Sequence, residues 1–275
     1  MKTWLITGCS EGGIGAGIAK AVLKRGYQCV VTARSLSKVE NIVKEYPETA
    51  LAVELDVTSE ESITNAVEAA INKFGKIDVL VNNAGYAYRS SIEEAKDDGM
   101  MLMYNTNLFG PIHLIQKVLP YMRKEGGGAI INVSSIGAAR TGAASGFYAS
   151  SKAALELVSH GLKAEVEPLG IKVMVVEPGS FRTHFYDSSL KGSDNTIDAY
   201  KDTAWKRSVA ESTNAKQQPG DPDKAGDVLI DVIESDNYPF RLLLGSDAIK
   251  VVSTEYENRL KEIEEWAEES KKTDF

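Results

Sequence analysis

Histidine and cysteine are scarce in this 275-residue chain. His113, His160 and His184 lie far apart in sequence, and Cys9 and Cys29 share no ligand spacing with them. Zinc sites draw three or four such ligands from short recurring spacings, so no metal site is expected. Two cysteines cannot make a disulfide framework, which points to a reducing, cytoplasmic setting. Runs of positive charge are also missing. No basic run exceeds two residues and the formal net charge is −8. A phosphate-backbone or anionic-membrane surface needs a basic face, so nucleic acid and acidic lipid are excluded as partners. No apolar stretch approaches the ~20 residues of a membrane span. Residues 5–9 (Leu-Ile-Thr-Gly-Cys) faintly match a lipoprotein cleavage box. The apolar lead of Trp4, Leu5 and Ile6 is far shorter than the ~7–15 residues a secretion signal needs. A first strand entering a Gly-rich turn accounts for it instead.

What remains is ordinary globular material, 43% hydrophobic and 25% charged, long enough to bury a full core without staples. Seven apolar runs read as strands: residues 3–7, 29–33, 51–55, 77–81, 129–133, 173–176 and 241–244. They are continuous rather than alternating, as strands buried on both faces are. Helical periods fall between them, at 14–25 and at 59–74, where Ile63, Ala66, Val67, Ala70 and Ile71 share a face. This alternation predicts an α/β fold: a single doubly wound parallel sheet (Rossmann-type) with helices on both faces, spanning 1–275 as one domain. Ligands then belong at the carboxyl edge of the strands. Residues 184–221 are polar and irregular, with weak helical signal around 199–210, and read as a substrate-loop insertion over that edge. Residues 246–270 read as a C-terminal amphipathic helix. Its stripe of Val252, Tyr256, Leu260 and Ile263 is expected to dock on the parent domain, with a lid or subunit contact as the alternative.

The first strand runs into Thr7-Gly8-Cys9-Ser10-Glu11-Gly12-Gly13-Ile14-Gly15, and a helix follows. Glycines let the backbone approach a pyrophosphate, and the helix start offers free N–H groups and a positive dipole end. Here the chain resembles the short-chain dehydrogenase/reductase family, whose glycine pattern is T-G-x-x-x-G-x-G. This loop is one residue longer. Gly8, Gly13 and Gly15 are taken as the pattern glycines and Gly12 as the insertion, with Ser10 and Ile14 beside them. Further matches follow in order. Asp56-Val57 fits the adenine-side segment, and Asn82-Asn83-Ala84-Gly85 the family's N-N-A-G motif. Pro178-Gly179 fits its nicotinamide-side loop, with Thr183 at the carboxamide. At the end of the second strand Ala33 stands where NAD-using members carry an acid, and Arg34 follows. An acid there would hold a ribose 2′-hydroxyl and repel a 2′-phosphate, which Arg attracts. The cofactor expected is NADP(H), with NAD(H) as the alternative. Glu11 acts against the extra phosphate.

Tyr148 and Lys152 are four residues apart and share a helix face. A free phenol titrates near ~10 and is a poor base at neutral pH. A neighbouring ammonium favours phenolate. Taken alone the pair matches many surface helices. The resemblance gives it weight: Tyr148 is the family's acid/base and Lys152 the group that acidifies it and holds the ribose. Ser135 orients the reacting oxygen, and it is preferred to Ser134 because the family uses the second serine. Asn107, in Asn105-Thr106-Asn107, is the fourth catalytic residue and holds a water linked to Lys152.

The resemblance implies an NAD(P)-dependent oxidoreductase acting on CH–OH groups. Its glycine-loop start and the segment 177–183 look like the hydroxysteroid and retinol dehydrogenase branch. Tyr86, Tyr88, residues 138–147, Phe181, Phe185 and Tyr186 are expected to line an apolar pocket. The substrate expected is a hydrophobic, hydroxysteroid-like or lipid-like secondary alcohol or ketone. Alternatives left open are another small carbonyl compound (an acyl ketone, sugar or retinoid), a non-catalytic NADP(H) sensor on the same fold, and a cofactor-retaining isomerase or dehydratase. A homodimer or homotetramer is expected.

Overall fold

Residues 1–186, 190–194, 196–206 and 217–275 are described by a computed structural model. In chain order the elements are β1 (Thr3–Ile6), α1 (Ile14–Lys24), β2 (Gln28–Ala33), α2 (Glu40–Glu45), β3 (Ala50–Glu54), α3 (Glu60–Phe74), β4 (Val79–Asn82) and β5 (Ala87–Arg89). There follow α4 (Asp97–Tyr104), α5 (Gly110–Glu125), β6 (Gly128–Val133), α6 (Gly146–Val166), β7 (Ile171–Pro178), β8 (Leu190–Gly192), α7 (Pro222–Glu234), β9 (Arg241–Leu244) and α8 (Ser246–Ser270). Seven strands form one parallel sheet in the order β3-β2-β1-β4-β6-β7-β9. The order reverses between β1 and β4, which opens a crevice at the carboxyl edge.

The period-2 alternation of strands sorts the core onto two faces. Trp4 and Ile6 of β1 pack with Ile18 and Val22 of α1 and Leu229 and Ile230 of α7. Leu5, between them, packs on the opposite face with Ile63 and Val67 of α3 and Leu114 and Val118 of α5. Helices on both faces leave the inner strands almost entirely buried, which is why their sequences run apolar without a break, whereas the edge strands β3 and β9 are partly exposed. Ser59 starts α3 by accepting a hydrogen bond from the Ser62 backbone N–H at 3.2 Å. Gly75 ends it with φ +80°, a conformation that favours glycine.

Three features depart from the sequence reading. A second, two-stranded parallel sheet joins β5 to β8. Its strands have three residues each, too short to carry a pattern. Within 184–221, the described part holds short helical turns at His184–Tyr186, Asp198–Tyr200 and Lys201–Trp205. The stretch 207–210 of the weak 199–210 signal lies outside the described residues. Glu94 fastens this region to the body: its carboxylate accepts from Ser91, Ile197 N–H and the Trp205 indole, and its carbonyl from Ser193. Finally, α8 buries only Ala248 and Val252 along its 25 residues. Tyr256, Leu260 and Ile263, expected to dock, are exposed, because a straight helix of ~37 Å outruns the sheet edge it starts from.

Candidate active site

A cleft of about 1550 Å³ opens along the carboxyl edge of the sheet. At one end the glycine loop and the N-N-A-G segment are joined. The Thr7 hydroxyl accepts from Asn83 N–H and Ala84 N–H, both at 2.9 Å. The Asn83 amide donates to the carbonyls of Thr7 and Gly8 at 2.8 and 2.9 Å. Gly8 needs its glycine twice over: φ is +70°, and a Cβ would lie 2.8 Å from Ala84 Cα. The extra glycine has a structural partner. Gly12 has φ +74°, and a Cβ there would come within 2.9 Å of His184 Nε2. Gly13 begins α1, whose N-terminus carries no side-chain cap and no acid in its first turn. Gly8, Ser10, Gly12, Gly13 and Ile14 line the cleft, whereas Gly15 lies behind it, packed against Asn83 and Gly8. Arg34, Asp56, Val57, Asn83, Ala84 and Gly85 also line it, as do Pro178, Gly179 and Thr183 at the other end. Uncapped N–H groups over an open cleft suit a pyrophosphate, so these residues fit a bound dinucleotide.

The proposed chemistry lies in the middle of the cleft. Tyr148 stands in the first turn of α6, half-buried, its ring 5.7 Å from that of Phe185 and 5.6 Å from the Arg89 guanidinium carbon. Ser135 caps the short turn Ile136–Ala138 by accepting from Gly137 N–H at 3.0 Å. A Cβ on Gly137 would lie 3.3 Å from Ser135 Oγ and 3.4 Å from Tyr148 Cε1, so the serine and the tyrosine flank one point. Lys152 is buried one turn on, donating to Val133 carbonyl at 2.8 Å. Burial pushes its ammonium down to about 8, while the Glu156 carboxylate acts to hold it up.

Asn107 does not line the cleft. It is fully buried in a π-helical turn, Asn105–Phe109, between α4 and α5. Such turns insert one extra residue and recur at functional sites. Its Oδ1 accepts from Tyr86 N–H at 3.1 Å; its Nδ2 donates to Tyr86 carbonyl at 2.9 Å and to Ser151 Oγ at 3.2 Å. Gly85 is the meeting point of this asparagine and the lysine: a Cβ there would lie 3.1 Å from Asn107 Oδ1 and 3.3 Å from Lys152 Nζ.

Of the expected apolar lining, Tyr86, Phe181 and Phe185 face the cleft, as do Ile136, Leu102 and Val251. Tyr88 does not; it is buried and accepts a hydrogen bond from Lys96 N–H. The Tyr186 side chain lies outside the described residues. Sequence reading missed several charged and polar groups. Ser37 and Lys38 join Arg34 at the far end, and Arg89, Arg140 and Lys191 line the other half. Asp247, in the first turn of α8, accepts from Ser180 N–H at 2.7 Å and so clamps the Pro178-Gly179 turn. None of these follows a motif, although Lys38 is legible as a second cation four residues after Arg34. Among the described residues, no group of three His, Cys, Asp or Glu is placed to hold a metal ion, and no helix is long and apolar enough to cross a membrane.

A parallel sheet with a glycine loop, an uncapped helix start and a buried lysine behind a tyrosine defines a dinucleotide-dependent redox site. The short chain dehydrogenase model matches residues 2–193. The chain is 34% identical over 270 residues to oxidoreductase BOA17 of Botryotinia fuckeliana, covering 97% of each. It is 37% identical over 245 residues to the 3-ketodihydrosphingosine reductase of Bacteroides thetaiotaomicron, covering 88% of this chain and 87% of that protein. A short-chain dehydrogenase structure from Streptomyces avermitilis superposes with a TM-score of 0.91 at 36% identity, covering 100% of this chain and 98% of that one. The chain belongs to the short-chain dehydrogenase family and is an NAD(P)-dependent oxidoreductase.

Proposed function

We propose that the protein is an NADP(H)-dependent enzyme that interconverts a secondary alcohol and a ketone on a hydrophobic, lipid-like or hydroxysteroid-like substrate. The observation that carries this reading is Tyr148, which faces the cleft beside Ser135 and Phe185 with Lys152 buried one turn behind it. When bound, the nicotinamide supplies the hydride donor and acceptor. The chain's own residues do the rest. Tyr148 gives its proton to the ketone oxygen in reduction and takes it from the alcohol in oxidation. Ser135 orients that oxygen, and the Lys152 ammonium favours the phenolate form of Tyr148. Asn107 fixes the Tyr86 backbone and donates to Ser151, the residue before Lys152.

The preference for NADP(H) rests on Arg34, Ser37 and Lys38 around the ribose end of the cleft. Two cations and a hydroxyl suit a 2′-phosphate. Arg34→Asp should shift the NADPH/NADH ratio of kcat/KM toward NADH by about tenfold to a hundredfold, the value of one or two charge-assisted hydrogen bonds. An unchanged ratio would show that Arg34 does not read the phosphate.

The apolar wall of Tyr86, Leu102, Ile136 and Phe185 suits a long or fused-ring hydrocarbon. Similarity to a 3-ketodihydrosphingosine reductase supports a keto lipid. Arg140 and Lys191, both exposed and lining the same cleft, with Lys191 Nζ 5.1 Å from the Tyr86 ring, favour a lipid with an anionic polar end over one with an amine. The test is a panel of keto lipids with anionic, neutral and amine ends, with ketosteroids, retinoids and sugars, followed by NADPH consumption. No turnover of any member would sink the proposed alcohol–ketone reaction on these substrate classes. We further propose a symmetric homo-oligomer, because Leu157 and Val158 on α6 are exposed. A monomer in light scattering would refute this.

A further inference from the structure

Lys152 has to keep its positive charge in a place that removes water from it. Its side chain is buried and its Nζ donates to the Val133 carbonyl. One helical turn further along α6, on the same face, stands Glu156, buried as well. Its Oε1 accepts from Ser134 Oγ at 2.6 Å. Ser134 is the residue after Val133, so lysine and glutamate hold adjacent residues at the end of β6, directly before Ser135. The second oxygen, Oε2, faces Arg241 Nε of β9 at 3.2 Å. Glu177 of β7 approaches the same nitrogen, 3.8 Å from Nε. Tyr148, Lys152, Glu156, Arg241 and Glu177 are thus the titratable groups that meet here from α6, β7 and β9 among the described residues. A buried carboxylate costs several kcal/mol to desolvate unless it is paired, and this one is paired on the side away from the active site.

We infer that Glu156 is a positioning residue: its buried carboxylate, fixed by Ser134 and Arg241, keeps the Lys152 ammonium charged and in place behind Tyr148. The sequence Tyr148, Lys152, Glu156 is then a ladder of three groups one turn apart. The phenol faces substrate, the ammonium stands behind it, and the carboxylate balances the ammonium. Arg241 limits how much of that negative charge the lysine feels. Glu177 shares the Arg241 Nε with Glu156; burial, then Glu156, raise its own titration to about 7, so it adds only part of a charge at neutral pH. The role for Lys152 rests on the alcohol–ketone reading above. The charge balance does not, since it can be observed without turnover.

The experiment is NMR titration of the Lys152 Cε resonance in ε-13C-lysine-labelled full-length protein, assigned by its loss in Lys152→Arg. In the wild type burial sets the titration near 8. Below that pH the ammonium is present; above it the charge is lost. Glu156→Gln keeps the shape and removes the negative charge, so Lys152 should lose its proton at lower pH, by about one unit, or tenfold in the equilibrium. Arg241→Gln removes the competing cation and should move the titration upward. Ser134→Ala keeps both charges and should leave it within a few tenths of a unit. The opposite signs separate a charge effect from loosened packing, which would move both variants the same way. If Glu156→Gln does not fold, the upward shift in Arg241→Gln decides the matter. Unchanged titration in folded Glu156→Gln or Arg241→Gln, or shifts of the same sign in the two, would overturn the inference. A failed substrate panel with the shifts intact would instead refute only the proposed reaction.

Discussion

Tyr148→Phe should leave a folded protein that binds NADPH with near-normal affinity and turns over its best substrate about a thousandfold more slowly. The substitution removes one oxygen and keeps the ring. The ring's contacts at 5.7 Å to Phe185 and 5.6 Å to the Arg89 guanidinium carbon therefore survive, as does the start of α6. What disappears is the group proposed to exchange the proton with the reacting oxygen. General acid–base catalysis contributes roughly 10²–10⁴, or about 3–5 kcal/mol of barrier. Ser135 does not replace it, because an unperturbed hydroxyl is a far weaker acid and base than a phenol beside an ammonium. The check is kcat under saturation together with an NADPH dissociation constant from fluorescence. A kcat within a few-fold of wild type would refute Tyr148 as the acid and base.

The second large effect is on stability. Gly17→Ala should destabilise the fold by about 3 kcal/mol, a large share of the ~5–15 kcal/mol a domain has. Gly17 sits in α1 where the backbone of Pro222 crosses it. A Cβ there would lie 2.7 Å from the Pro222 carbonyl carbon and closer still to its oxygen. Gly226 of α7 answers from the other side, since a Cβ on it would be 2.6 Å from that of Ala21. Both neighbours are backbone or short side chains, so the helices must separate along a contact that also packs Ile18, Val22, Leu229 and Ile230. The control is Gly161→Ala in α6, exposed and with nothing within 4 Å of the new Cβ. It should stabilise by up to ~1 kcal/mol through helix propensity. Denaturant unfolding of both variants tests the pair. Equal stabilities would show that the close approach of α1 and α7 carries no cost.

The sheet was legible in the sequence because parallel strands covered on both faces become unbroken apolar runs, and seven of these were present. The edges of runs were less so: β7 extends from Ile171 to Pro178, beyond the four residues 173–176 that look most apolar. β5 and β8 offered nothing, since three residues paired to each other carry no period. The cleft was legible where it is built from strand ends, because topology brings Gly8, Asn83, Ser135 and Gly179 together wherever their motifs occur. It was not legible where a side chain arrives from an unpredictable direction. Arg89, Arg140, Lys191 and Asp247 belong to no motif, and only the folded chain turns them to the cleft. The π-helical turn at Asn107 was hidden for a related reason: one extra backbone residue inside a helix leaves no compositional trace. Glu156 is the exception that spacing offered, standing four residues after Lys152 as Lys152 stands after Tyr148.

The clamp between Asp247 and the backbone of Ser180 also makes the cofactor cleft depend on a helix that adds nothing to the sheet. The glycine loop lies at residues 8–15, whereas Asp247 stands in α8, behind every strand of the sheet in sequence. Yet the loop that faces the glycine loop across the cleft is held by a carboxylate from position 247 of 275. A variant truncated before that point carries every strand of the sheet and lacks the group that holds Pro178-Gly179 in place. Removal of α8 should therefore weaken dinucleotide binding although the glycine loop itself is untouched, because one wall of the cofactor cleft is held by a helix outside the sheet.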